Sequence, residues 1–298
     1  MTPQEIQQRR AELWRINGNP VRTPEAARSF LIDVGFCLMY PVRSLPEVPT
    51  FLGAYAGTTA DLPDAKHAFA DSRTQPATDL LVKLLRERHA YEINLLPEST
   101  LIFAASLFPF FYALVGDRKP KGVPRINAKG EKLSPLAIKV YEAIEKHGPI
   151  SKPQLQELIS RELTPAALDR ALNDLWSILK ITRVDYRPKE GAYWDLLFRW
   201  SQQGVIDGAQ LSLPEALSAL LGKYLEGVVA ATQEDIEQLF SCLVPRSRVR
   251  EAIHALLAAH ELTMVVVGTK TLIQLASSAV APQTSSQPAR PPRRRLHG

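Results

Sequence analysis

Residues 134–196 read SPLAIKVYEAIEKHGPISKPQLQELISRELTPAALDRALNDLWSILKITRVDYRPKEGAYWDL, and their pattern decides the fold. Ser134 and Pro135 supply a cap and a first-turn proline, and Leu136, Val140 and Ile144 follow at helical spacing. His147-Gly148-Pro149 stops that helix. Ile150 is a short extended residue, and Ser151 caps a second helix carrying Leu155 and Leu158. Thr164 and Pro165 open a third, with Leu168, Leu172, Leu175 and Leu179 on one face. Residues 181–186 alternate as a strand does, 187–191 hold the Pro and Gly of a turn, and 192–196 return as a second strand. Helix, short strand, helix, helix, hairpin: that order is a winged helix-turn-helix.

The pattern recurs downstream. Shifting the sequence by 81 residues, without a gap, places Leu136, Val140 and Ile144 on Leu217, Leu221 and Leu225. Ser151 falls on the cap Thr232, Leu155 and Leu158 on Ile236 and Leu239, and Leu168, Leu172 and Leu175 on Val249, Ile253 and Leu256. The strand residues Ile181 and Val184 fall on Leu262 and Val265, and the second hairpin closes on Gly268-Thr269, a turn of the II′ kind. Ungapped agreement over a whole supersecondary unit marks an internal repeat.

Upstream, helix signals cover residues 2–16, 23–34, 49–56 and 78–89, followed by a short strand at 91–95 and an apolar helix from Pro97. The most apolar run, LIFAASLFPFFYALV at 101–115, is shorter than the ~20 residues of a membrane span and is interrupted by Pro109, so it reads as a buried core helix. This order admits a third, degenerate winged helix. The expected fold class is therefore mainly α with small β-hairpins (α+β), as tandem winged helix-turn-helix domains, three in all. The expected divisions are a helical domain at 1–116, a basic linker at 117–133, winged helices at 134–200 and 201–275, and a disordered basic tail at 276–298. Within this scheme 201–210, SQQGVIDGAQ, reads as a break between the two winged helices.

Composition narrows the function. Of 298 residues, 45% are apolar and 22% charged, which excludes global disorder. Two distant cysteines exclude a disulfide scaffold and a Cys-rich zinc site, and the six histidines lack ligand spacing, so neither metal nor cofactor is expected. Arg290, Arg293, Arg294 and Arg295 supply most of the net charge of +5. Attraction to a polyanion must then come from local patches and the tail. No signal peptide or membrane segment is read, and a cytoplasmic, nucleoid-associated location follows as an expectation.

Three stretches carry a family likeness: residues 34–42 (VGFCLMYPV), 80–112 (LLVKLLRERHAYEINLLPESTLIFAASLFPFFY) and 194–200 (WDLLFRW). With the tandem winged helices, the chain resembles the bacterial winged-helix family that contains the crosslink-repair (YcaQ/AlkZ-like) DNA glycosylases, over roughly residues 24–275. The resemblance implies three winged helices around a concave face that meets double-stranded DNA. It also implies excision of alkylated bases by a Gln-x-Gln or Gln-x-Asp pair in the first domain. No such pair is read there. Gln154-Leu155-Gln156 has the spacing but lies in the middle domain around a core leucine, and Gln4, Gln7 and Gln8 lack the spacing. The catalytic residues stay unassigned, and whether the chain is an enzyme stays open.

The nucleic-acid candidates come from helix-turn-helix geometry. On the last domain's third helix Arg246, Arg248, Arg250 and His254 face outward, with the arginines beside a helix N-terminus. The middle domain offers Arg170 and Asn173 on its third helix and Arg183, Arg187 and Lys189 on its wing. The linker cations and the helix bearing Lys83, Arg86 and Arg88 are weaker candidates, and the Arg290–Arg295 tail fits a sequence-independent tether. The leading reading is a protein that grips duplex DNA, in repair or transcription. The alternatives are a glycosylase that removes alkylated or crosslinked bases and a winged-helix interaction scaffold.

Overall fold

The computed structural model describes residues 1–96, 98–127 and 130–276. Helix α1 (Pro3–Leu13) precedes a first module of α2 (Pro24–Val34), β1 (Phe36–Leu38), α3 (Phe51–Ala56), α4 (Thr74–Arg86), β2 (Ala90–Leu96) and β3 (Ser99–Ala104). Helix α5 (Phe108–Val115) leads to a second module of α6 (Pro135–His147), β4 (Ile150–Ser151), α7 (Lys152–Ile159), α8 (Pro165–Trp176), β5 (Ile181–Arg187) and β6 (Gly191–Leu196). Short α9 (Leu197–Trp200) and α10 (Gln202–Gln210) connect to a third of α11 (Leu213–Val228), α12 (Gln233–Phe240), α13 (Arg246–Ala258), β7 (Leu262–Val267) and β8 (Lys270–Leu275).

The first module is a winged helix like the second. Their sheets have the same antiparallel order, β1-β3-β2 and β4-β6-β5, with the short strand pairing to the last. In the third module the short strand shrinks to a single bridge, Ala231 to Ile273, beside the β7-β8 hairpin. Each third helix ends alike. Arg88, Leu179 and His260 take left-handed conformations (φ 59°, 54° and 57°) two residues before the strand. The next amides, of His89, Lys180 and Glu261, reach back to the carbonyls of Leu84, Leu175 and Leu256, a Schellman closure made three times.

Several expectations shift. The apolar run 101–115 is not one helix: 101–104 belong to β3, the central strand of the first sheet, and only 108–115 are α-helical. A strand buried on both faces shows no alternation, so periodicity cannot separate it from a buried helix. The break at 201–210 is largely helix α10. A Cβ on Gly204 would stand 2.3 Å from the Phe108 ring, and one on Gly208 2.6 Å from the Pro109 carbonyl, so the glycines let α10 lie against α5. Leu158 is 52% exposed, not a core residue, and Leu179 belongs to the left-handed turn after α8. The II′ hairpin turn holds: Gly268 has φ 62° and Thr269 is not in the left-handed region.

Two cores result. The second module closes on its own leucines and Trp176, whereas the first and third share a continuous core. Phe36 of β1 stacks on Tyr224 of α11 at 6.0 Å and meets Phe111 and Phe240 edge-on at 5.6 and 6.1 Å. The Trp14 indole and Arg10 on α1 donate to carbonyls 227, 228 and 230, closing the end of α11.

The first two modules meet in a quasi-two-fold arrangement. Helix α4 lies on β5 and helix α8 on β2. Counted from the left-handed residues Arg88 and Leu179, Glu92 and Arg183 hold the same position on β2 and β5, and they pair with each other. Asn94 and Asp185 are likewise equivalent: Asn94 donates to Asn173 on α8 at 3.1 Å, and Asp185 accepts from Arg86 on α4 at 3.2 Å.

Candidate nucleic-acid interface

On α13, Val249 and Ile253 are fully buried and Leu256 nearly so, which turns Arg246, Arg248, Arg250 and His254 outward as the heptad-like spacing requires. Their charges are not equally available. Arg250 makes a two-pronged contact to Glu237 on α12, Nε to Oε1 at 2.9 Å and Nη2 to Oε2 at 2.8 Å. Gln233 donates to the same carboxylate at 2.8 Å. These donors, Arg250 first, hold the Glu237 carboxyl down at about 2. Arg248 pairs with Glu251 at 2.9 Å, both well exposed, a contact worth about 0–1 kcal/mol that another anion displaces readily. Arg246 and His254 are exposed and form no ion pair among the described residues, while Arg246 adds to the positive field at Glu237.

The middle module departs from expectation. Its third helix does not lie free for a groove: Trp176 is buried, with its indole N–H donating to the Glu92 carbonyl at 2.9 Å, and Asn173 accepts from Asn94. Arg183 does not project from the wing. Its Nη2 lies 2.8 Å from Glu92 Oε2 and its Nε 2.5 Å from Oε1, against a carboxylate with no solvent exposure. Burial pushes the Glu92 carboxyl up while Arg183 pulls it back. Arg187 is exposed, over the Tyr193 ring at 4.3 Å and 3.4 Å from Asp185. Lys189 sits at the wing tip with φ 75°, and Arg170 is exposed midway along α8, beside the Lys152–Asp169 pair. The structure therefore gathers Arg246, Arg248, Arg250 and His254 on one helix. It leaves Arg170, Arg187 and Lys189 exposed, commits Arg183 to the buried Glu92, and ties the exposed Asn173 to Asn94 of the first module. The arginine tail lies outside the described residues.

The glutamine spacings are also spent. Gln154 Oε1 accepts from the Ser151 amide at 3.0 Å and Gln156 donates to the Leu163 carbonyl at 2.7 Å, so both brace α7. A Gln-x-Asp spacing that sequence reading passed over, Gln233-Glu234-Asp235, is the equivalent cap of α12: Asp235 accepts from Thr232 and its amide donates back at 3.1 Å. Residues 34–42 contribute β1, where Phe36, Cys37 and Leu38 are buried and apolar. Among the described residues no cluster of His, Cys, Asp and Glu could hold a metal ion, and no helix is long and apolar enough to cross a membrane.

The same architecture is found in a solved structure, Streptomyces sahachiroi DNA glycosylase AlkZ, with a TM-score of 0.56. The alignment covers 90% of this chain and 69% of that one at 13% identity, a likeness of fold. Among curated proteins none matches. The family model "DNA glycosylase AlkZ-like" matches residues 52–296, beginning beyond the 34–42 stretch that first suggested a relative. With most of its length inside that match, the chain belongs to the AlkZ-like DNA glycosylase family.

Proposed function

We propose that this chain acts on damaged duplex DNA and excises an alkylated base. Membership of a DNA glycosylase family over residues 52–296 is the observation that carries the reading. An alkylated purine carries positive charge and leaves as a neutral base, so the protein's tasks are to draw the nucleotide out of the stack and stabilise the sugar cation. In this reading Arg246, Arg248 and His254 meet phosphate beside the α13 N-terminus, with Arg170, Arg187 and Lys189 as further backbone contacts. Arg250 is held by Glu237 as a spacer of fixed geometry. The experiment is incubation with duplex containing N3- or N7-alkylated purines, followed by alkaline cleavage. Strand scission at the lesion supports excision; intact strands across several lesions sink it.

A second reading, lesion binding without excision, is favoured by one observation. The pairs with glutamine spacing, 154–156 and 233–235, are both helix caps outside the first module. Duplex affinity with inert strands selects this reading.

A further inference from the structure

Sorting the cations by whether a carboxylate already holds them gives an unexpected map. Arg250 and Arg248 on α13, Arg86 on α4 and Arg183 on β5 are all paired. In the segment joining the first two modules, Lys119, Lys121 and Arg125 are exposed and paired with no carboxylate. The segment's own acids are occupied, Asp117 by the Lys180 ammonium at 3.0 Å and Glu131 by the Asn127 amide at 3.0 Å.

This segment is built, not loose. Lys180, 3% exposed, donates to the carbonyls of Lys119, Pro120 and Gly122 at 2.5, 3.3 and 2.8 Å. Arg118 donates to the carbonyls of Ala113 and Ala209 at 3.2 and 2.9 Å. The Leu133 amide donates to the Arg125 carbonyl at 3.0 Å. The cations therefore stand on a fixed strap and lose little backbone freedom on meeting a ligand.

Lys119 and Arg125 also border a groove of about 990 Å3 whose walls come from all three modules: Leu95 of β2, Ile138 of α6, and Cys242 and Leu243 before α13. Arg246 opens α13 three residues after Leu243, so it starts within about 10 Å of that wall by chain length alone. Lys119 and Arg125 thus line the groove, and Arg246 begins its helix just beyond the groove's Leu243 wall. Val123 and Ile126, 45% and 56% exposed, line the same groove as apolar contacts that suit sugar rings.

We infer that the strap at residues 117–127 is a phosphate clamp, with Lys119, Lys121 and Arg125 gripping the DNA backbone across the groove from Arg246. The inference rests on duplex DNA being the partner. Each neutralised phosphate steepens the plot of log affinity against log salt by about 0.9. The test is fluorescence anisotropy of full-length chain on duplex DNA from 50 to 200 mM salt. The triple variant Lys119→Gln, Lys121→Gln, Arg125→Gln flattens the slope by between about two and three. The control Lys139→Gln, Lys146→Gln, on exposed positions of α6, leaves it nearly unchanged. Wild-type binding with a slope untouched by the triple variant, or flattened equally by the control, overturns the clamp and leaves the DNA reading standing. Wild-type protein that binds no duplex overturns both. The three side chains are exposed, so an unchanged melting temperature certifies that the variant is folded.

Discussion

Arg183 shows how far a side chain's environment departs from its residue type. On a wing strand an arginine suggests phosphate contact; here it neutralises Glu92, which has no exposure at all. Arg183→Ala leaves that carboxylate buried and unpaired, and chemical denaturation should show a loss of about 3–5 kcal/mol. Pairing it with Glu92→Leu should restore much of the loss, and the cycle of single and double variants measures the coupling. Glu237 gives the pH prediction. Its carboxyl, held at about 2 by Arg250 and Gln233, titrates below the usual carboxylate range, so the unfolded chain takes up that proton first as acid is added. The stabilisation is complete at neutral pH and is lost as pH falls from about 5 towards 2. Urea midpoints across that window should drop for the wild type and drop less for Arg250→Gln.

Among the elements, α10 is where local signals mislead. Two glycines, an Asp and three Gln in ten residues read as a loop, because glycine costs a free helix about 1 kcal/mol. What forms the helix is its neighbour: Gly204 and Gly208, one turn apart, sit against Phe108 and Pro109 of α5. Phe108 is buried and cannot retreat, so Gly204→Ala should destabilise by about 1–3 kcal/mol despite its better helix propensity. A melting temperature raised by that substitution would refute the packing account. The helix caps behave in the opposite way. Ser134, Thr164, Ser212 and Thr232 each accept from the amide three residues on, as their spacing announces.

For the whole molecule the arrangement of modules matters more than their number. The first and third share the aromatic cluster of Phe36, Phe111, Tyr224 and Phe240, while the second keeps a separate core. Native-state hydrogen exchange should accordingly report β1, β3, α5 and α11 opening as one unit, with α6 and α8 as another. Equal protection across both sets would contradict the division. The quasi-two-fold contact has a functional consequence. It turns α4 and α8 onto each other's strands, so the helices that would enter a groove in isolated modules are largely committed, whereas α13 packs chiefly on α11, α12 and β7 of its own module.

Local sequence was enough to set the modules. Caps, apolar stripes and an ungapped repeat are local properties, and each element is set by residues within a few positions of one another. It also determined which side of α13 faces out, since Val249 and Ile253 had to face in. Tertiary structure alone decided that 101–104 form the middle strand of a sheet, that 201–210 is largely helix, and which cations remain available. Arg183 and Asn173 found polar partners in another module, whereas Lys119, Lys121 and Arg125 pair with no carboxylate. Such pairing is fixed by which modules touch, and contacts between residues 79 and 91 positions apart leave no periodicity to read.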